Sequence, residues 1–307
     1  MAEGLTLWLE LTPRCDLACA FCYNPWRPGP KRDQPGPVAT SVYAAGVKRL
    51  LARRTFDYVA LSGGEPLLHP DLDTFVALVA EHDQRPVLTT NGRLLTRSRI
   101  ERLADAGLAA LQVPLLARKP EVHDGLAGRA SWRSALLALA LGLEYGLSTA
   151  ATFILTHENA NELVGVVDTL AELGVDNLVV NELHATGSAS SRADLAVPAS
   201  LLRRSLARAR VHASKRGVSL QFVPASDAAV HGTIIGGWYR LAVSPAAELK
   251  LCNQSIRSLG ELAAIEDDGL DRILADVDAG RLAAYGDRVD HCSCFDRLTR
   301  SHTSLAH

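Results

Sequence analysis

Six cysteines carry the first chemistry that can be read from this 307-residue chain: Cys15, Cys19, Cys22, Cys252, Cys292 and Cys294. They fall into two tight groups near opposite ends of the sequence. Clustered thiols suit metal or iron–sulfur ligation better than disulfides, because a chain of this length can build a core without cross-links. The first three are spaced C-x3-C-x2-C. Three thiolates on so short a stretch can hold three irons of a four-iron cube and leave the fourth iron open to a small ligand. A zinc loop with a distant fourth ligand, or three buried structural cysteines, would use the same residues differently.

Such a stretch needs a rigid edge beneath it, and the flanking sequence supplies one. Short apolar runs predict strands at Leu5–Leu11, Tyr58–Leu61, Pro86–Thr90, Ala110–Val113, Ser148–Leu155, Asn177–Val180 and Val218–Val223. Helical periodicity predicts helices at Ser41–Arg53, with Ser41 as its cap, Leu72–His82, Arg97–Ala106, Trp132–Tyr145, Asn161–Leu173 and Pro198–Lys215. Gly107, Gly146, Gly174 and Gly217 each follow a helix and precede a strand, where a left-handed stop is expected. Alternating units of this kind predict an α/β fold, either a partial (β/α) barrel or an open doubly wound sheet. The three cysteines then lie at the carboxyl end of the first strand, where α/β sites form. The small polar stretch Gly187–Asp194 reads as a loop lining a substrate opening, and Trp26–Gly36 as another loop. The pattern changes after Pro224, which places a domain boundary near 225: residues 1–225, then residues 226–307. In the second part, Ala246–Cys252 reads as a turn and strand and Glu261–Leu282 as helical.

Hydrophobic residues make up 48% of the chain and charged residues 21%, with a net charge of −2. That balance is globular and offers no global attraction to nucleic acid or an anionic membrane. No apolar run is long enough to span a bilayer and no secretory signal is evident, so a cytoplasmic location is expected.

The stretch from Cys15 through Asp16, Leu17, Ala18, Cys19, Ala20 and Phe21 to Cys22 resembles the signature loop of the radical S-adenosylmethionine (SAM) superfamily, including the aromatic residue before the third cysteine. Gly63-Gly64-Glu65-Pro66 and Thr89-Thr90-Asn91-Gly92, at the ends of the second and third strands, resemble that family's SAM-binding edges. The resemblance implies a partial (β/α)6 TIM-like barrel. It implies a [4Fe–4S] cluster on Cys15, Cys19 and Cys22, with SAM contacted by Phe21, Tyr23, Gly63, Gly64, Glu65, Thr90 and Asn91. The glycines would let backbone carbonyls approach the ligand, and the Glu65 carboxylate would meet its amino group. The chemistry implied is reductive cleavage of SAM to a 5′-deoxyadenosyl radical, which abstracts a substrate hydrogen, with an electron supplied by a donor such as flavodoxin or ferredoxin.

The sequence also departs from its relatives. Where peptide-modifying members carry a polar pair after the fourth strand, this chain has Pro114 and Leu116, so the contacts usual there are in question. His123-Asp124 echoes a family pair, and His123 reads as structural. Asn181, Glu182 and His184 end the sixth strand, and Asp227 and His231 follow the seventh. Glu182, His184 and Asp227 are the candidates for substrate chemistry. Cys252, Cys292 and Cys294 resemble a shortened auxiliary-cluster domain of the SPASM/twitch type, with His291, Asp296, substrate or water as fourth ligand and zinc as the rival reading.

Three functions follow. The first is modification of a ribosomally made peptide by cross-linking, oxidation or epimerisation. The second is dehydrogenation of a small molecule in a natural-product pathway. The third is a non-catalytic cluster carrier, which the SAM edges disfavour. Because the first strand starts almost at once, a separate peptide-recognition protein is an expected partner.

Overall fold

A computed structural model describes residues 5–24, 37–225, 239–253, 258–279, 281 and 285. The strands are β1 (Leu5–Glu10), β2 (Tyr58–Ser62), β3 (Pro86–Thr89), β4 (Ala110–Pro114), β5 (Ser148–Leu155), β6 (Asn177–Glu182), β7 (Ser219–Val223), β8 (Tyr239–Val243), β9 (Glu248–Lys250) and β10 (Gly260–Glu261). The helices are α1 (Thr40–Leu51), α2 (Leu72–Ala80), α3 (Arg97–Asp105), α4 (Pro120–Ala127), α5 (Trp132–Glu144), α6 (Leu163–Leu173), α7 (Ala199–Arg216) and α8 (Asp267–Asp278). One sheet runs β10-β9-β8-β1-β2-β3-β4-β5-β6-β7. From β8 through β7 every neighbouring pair is parallel, and β9 and β10 add an antiparallel hairpin. The fold is α/β, a partial TIM-like barrel.

Alternation along β1 explains how the sheet buries both faces. Leu5, Leu7 and Leu9 join Val47 and Leu50 of α1 in the main core. Trp8 meets Ala60 and Ala242 on the other side of the sheet. Gly107, Gly146, Gly174 and Gly217 have φ of 99°, 70°, 81° and 72°, the left-handed stops expected after α3, α5, α6 and α7. Ser41 does not cap α1. Ala39 stands at the cap position without a side-chain bond, and the neighbouring Thr40 hydroxyl donates to Asp71 at 2.7 Å.

Two elements were not legible as such in the sequence. Helix α4 is only eight residues long, starts at a proline, and owes its place to burial of His123, Leu126 and Ala127. Strand β8 pairs with β1 in register Leu5↔Tyr239 to Leu9↔Val243, so its partner lies more than two hundred residues away. The described residues beyond 225 therefore extend the barrel's own sheet. They also clamp α1: Leu262, Leu270 and Leu274 enter the main core, Arg49 donates to the carbonyls of Leu262 and Ile265, and Arg53 pairs with Asp267 and Asp271. No helix among the described residues is long and apolar enough to cross a membrane.

Candidate functional site

The site is built around the main chain of the cysteine stretch, which four neighbouring edges hold. The first edge is the end of β2. Gly64 N–H donates to Thr12 O at 2.7 Å, and Glu65 N–H donates to Arg14 O at 2.8 Å. A Cβ on Gly64 would fall on the Arg14 carbonyl, and one on Gly63, at φ 125°, would lie 2.6 Å from Thr12 O. The two glycines are thus required by the chain leading into Cys15, a closer constraint than the ligand approach expected from the sequence. Asn24, just past Cys22, donates to Gly63 O at 3.0 Å.

The second edge is the end of β3. Asp16 accepts from Asn91 Nδ2 and from Arg93 Nη1, both at 2.7 Å. The third is the end of α4, where the Leu126 and Ala127 carbonyls accept from Ala20 and Ala18 at 2.9 and 3.0 Å. Gly128, at φ 72°, ends that helix against Ala18. The fourth is the segment after β6: Ser188 N–H donates to Cys22 O at 2.8 Å, and Gly187 leaves no room for a Cβ beside Cys22 and Tyr23. The stretch read as an opening-lining loop forms short 3-10 turns here and packs directly on the third cysteine.

Cys15, Cys19 and Cys22 form no disulfide among the described residues and are half-buried on this frame. The Leu17 N–H points to Cys15 Sγ at 3.5 Å, a contact that favours a thiolate. Among the described residues no three His, Cys, Asp or Glu side chains are drawn together as ligands of a single ion. A four-iron cube takes its thiolates at separate corners, and three half-exposed thiols on one short loop fit that demand. Phe21 packs with Leu17, Leu116, Leu183 and Leu195 in a small apolar cluster that also touches Cys15 and Cys19.

Glu65 is 1% exposed. Its carboxylate accepts from Thr90 Oγ1 at 2.6 Å, Asn91 N at 2.8 Å and Leu67 N at 3.0 Å. Burial raises its pKa to about 7, against the pull of those three donors. Thr90 also accepts from Gly92 N, and Asn91 Oδ1 accepts from Arg93 N. The side chains expected to meet SAM are therefore bonded to one another, stapling the β2 and β3 edges into one ledge beside Cys15. Asp16 and Arg93, which complete the ledge, escaped the sequence reading. Their signal was a carboxylate directly after the first cysteine and a cation two residues after Asn91.

On the far side of β1 lies a second, charged layer. Glu10 and Lys250, both 0% exposed, pair at 2.8 Å. Lys250 also donates to Asn253 O at 3.3 Å. Tyr23 hydrogen-bonds to the side chains of Asn253 and Ser62, and its phenol is pushed up by burial first and then by the Glu10 carboxylate. Through these contacts the buried Cys252 is tied to the same loop as Cys22. Glu182 accepts from Ala225 N at 2.9 Å at the end of β6, and Leu183 beside it reaches Phe21 through the apolar cluster. His184 is half-buried just beyond. His123 is 2% exposed: Nδ1 accepts from Leu116 N and Nε2 donates to Ser131 Oγ, both at 3.1 Å. Asp124 accepts from the Ser131 and Trp132 amides at the start of α5. The His-Asp pair is structural. Pro114 is the half-buried last residue of β4 and Leu116 is 1% exposed, so of the apolar replacement only Leu116 is buried. Asp227, His231, His291, Cys292, Cys294 and Asp296 lie outside the described residues.

Residues 9–170 match the Radical SAM superfamily. The chain belongs to this superfamily. A [4Fe–4S] cluster and SAM are the cofactors that membership implies. The chain is 30% identical to a PqqA peptide cyclase of Bradyrhizobium diazoefficiens, over 81% of its own length and 66% of the relative's. It is 31% identical to a probable GTP 3′,8-cyclase of Aeropyrum pernix, over 59% of this chain and 51% of that one. The chain thus spans one half to two thirds of the length of these curated relatives. Among solved structures it resembles Streptococcus suis SuiB bound to its precursor peptide SuiA, at TM-score 0.65 and 17% identity, covering 83% of this chain and 60% of SuiB. That likeness concerns the fold.

Proposed function

We propose that this chain is a radical SAM enzyme that modifies a ribosomally made peptide. The observation that carries the reading is the ledge of Gly63–Glu65 and Thr90–Asn91 locked against the main chain of Cys15–Cys22. We read this ledge as the SAM edge that the resemblance implies, in register with three thiols, which a cluster carrier would not need. The 30% identity to a peptide cyclase across 81% of the chain favours a peptide substrate.

In this reading Cys15, Cys19 and Cys22 hold the [4Fe–4S] cluster, and Gly63, Gly64, Glu65, Thr90 and Asn91 form the SAM ledge with Phe21 and Tyr23 beside it. When bound, the cluster and SAM supply a reductively generated 5′-deoxyadenosyl radical. The chain's own part is orientation and exclusion of water. Asp16 fixes the first cysteine against β3, Ser188 fixes the third, and Leu116, Leu183 and Leu195 close apolar surface around Phe21. Glu182 and His184 stand at the carboxyl end of β6, the side on which substrate is expected, and Asp227 belongs to the same set by sequence. Residues 226–307 form the auxiliary-cluster region, with Cys252, Cys292 and Cys294 as ligands of a second [4Fe–4S] cluster. A flavodoxin or ferredoxin supplies the electron, and a separate protein assists peptide recognition. The net reaction on the peptide is an oxidation, a cross-link or an epimerisation.

The test is direct. Reconstituted, reduced protein is expected to release 5′-deoxyadenosine from SAM and to bind about eight irons. Four irons would remove the second cluster, and no SAM cleavage by fully loaded protein would leave only a carrier. With a candidate peptide, mass spectrometry should show loss of two hydrogens for oxidation or cross-linking, or solvent deuterium uptake for epimerisation. The similarity to a GTP cyclase supports a second reading, dehydrogenation of a small molecule. Turnover of such a compound with no peptide product would favour it.

A further inference from the structure

Helix α7 has the most one-sided charge of any described helix. Its eighteen residues include Arg203, Arg204, Arg208, Arg210, Lys215 and Arg216 and no carboxylate, in a chain whose net charge is −2. Arg203, Arg204, Arg208, Arg210 and Lys215 are exposed. Among the described residues, the ion pairs of α7 to the neighbouring helix are made by two other side chains: His212 and Arg216 reach Asp168 at 2.8 and 3.3 Å. Arg118 also approaches Asp168, at 4.0 Å, so that carboxylate is already answered. Arg204 and Arg208 stand one turn apart and repel each other, which weakens a helix unless an acidic partner intervenes.

The cations border an apolar depression between α6 and α7. Val164, Ala207, Arg208, Val211, His212 and Lys215 line a groove of about 490 Å³. Val211 is 60% exposed within it. Apolar surface rimmed by like charges suits a partner that is acidic and carries an apolar side chain. The groove lies on the outer wall of the barrel, yet the segment that leads into α7 runs to the cysteine loop: Ser188 holds Cys22, and Leu195 packs beside Phe21. A polypeptide lying along α7 toward its N-terminus would be guided to the barrel mouth.

We propose that this groove docks an acidic stretch of the peptide substrate, remote from the residue that reacts. An apolar side chain of about leucine size sits between Val164 and Val211, and carboxylates on either side meet Arg204, Arg208 and Lys215. The inference rests on the peptide reading above. A nucleic acid would answer the cations with its phosphates but carries no aliphatic side chain to sit between Val164 and Val211, so a peptide is the better fit.

The test uses fluorescence anisotropy at low salt with the full chain. The probes are a labelled peptide of about twelve residues, rich in glutamate with two leucines one turn apart, the same peptide with serine in place of leucine, and an oligouridylate of equal charge. The leucine peptide should bind about tenfold tighter than the serine peptide. The Arg204→Glu/Arg208→Glu/Lys215→Glu variant should weaken it about tenfold or more, and the milder glutamine triple variant less. Val211→Ser should weaken the leucine peptide alone. The proposal is overturned if the serine peptide or the oligouridylate binds as tightly as the leucine peptide. No binding at all, or an unchanged affinity in a charge-reversed variant with native circular dichroism, overturns it equally. None of these measurements needs a cluster or SAM, so a negative result leaves the peptide-modification reading to its own mass-spectrometric test.

Discussion

Around Cys15–Cys22 the chain is held by main-chain contacts; around Cys252 it is held by buried side-chain charge. The first region docks on carbonyls and amides of β2, α4 and the segment after β6, and at Gly63, Gly64 and Gly187 there is no space for even one methyl group. The second depends on Lys250 and Glu10, a pair with no solvent exposure on either side, and on the Tyr23–Asn253 contact. The difference explains why one region is a recognisable motif and the other is not. Close backbone packing admits only glycine, and glycine at fixed offsets is visible in a sequence. A buried ion pair can be made from many positions, and Glu10 and Lys250 are 240 residues apart.

The comparison can be broken most sharply at Gly64. Gly64→Ala drives a Cβ into the Arg14 carbonyl, and the obstruction is backbone that cannot swing aside. The expected result is loss of iron binding after reconstitution and a destabilisation of more than about 4 kcal/mol in denaturant melts. Gly146→Ala is its control: nothing lies within 4 Å of the added Cβ, and the φ of 70° alone sets the cost. It should lose about 1 kcal/mol and keep its iron. If both variants behave alike, backbone conformation rather than close docking explains the glycine pair.

Next comes the charged layer. Lys250→Met leaves Glu10 buried without its cation and should cost about 3 kcal/mol, while the Glu10→Met/Lys250→Met double variant should recover much of that loss. A double variant that loses as much as the two single changes added together would mean that the pair does not act as a unit.

Acid acts on two buried groups, Glu65 in the ledge beside Cys15 and His123 at the β4–α5 corner, with opposite signs. Burial lowers the pKa of His123 to about 4 from an ordinary 6.5. The fold therefore favours the neutral ring. That contribution is complete above about pH 6.5 and is lost as the pH falls toward 4. The His123 share of the loss is about 2 kcal/mol by pH 5, and Glu65, whose raised pKa makes protonation favour the fold over the same window, works against it. The His123 share is read as the change in the pH slope of denaturant midpoints between the native chain and His123→Gln.

The smallest effect is expected at Asp16. Its pair with Arg93 is partly exposed, with side-chain exposures of 18% and 29%. Asp16→Ala should cost about 1 kcal/mol of stability. It should shift the affinity for SAM more than it shifts iron content, because Asp16 ties the loop to the β3 edge.

Much of the architecture was legible because its signals are local. The left-handed glycines after α3, α5, α6 and α7 sit where the helices stop, and β5 has the span expected from its apolar alternation. The misses share one cause. Helix α4, strand β8 and the Glu10–Lys250 layer each form through partners far along the chain, and none has enough local periodicity to announce itself. The cap assigned to Ser41 failed for a related reason: Ala39 ends the extended run into α1, and Thr40 is engaged by Asp71 of a different βα unit.

By itself the sequence determined the cysteine spacing, the glycine pairs at two strand ends, and the alternation that makes a parallel sheet, because these depend on residue type at short separation. Only the tertiary structure decided what those residues touch. It turned Glu65, Thr90 and Asn91 from separate ligand contacts into one hydrogen-bonded ledge, made His123 a packed neutral ring, and brought Lys250 across 240 residues to Glu10. Those outcomes depend on which distant groups share a dry interior, where every polar atom needs a partner and every charge needs its opposite.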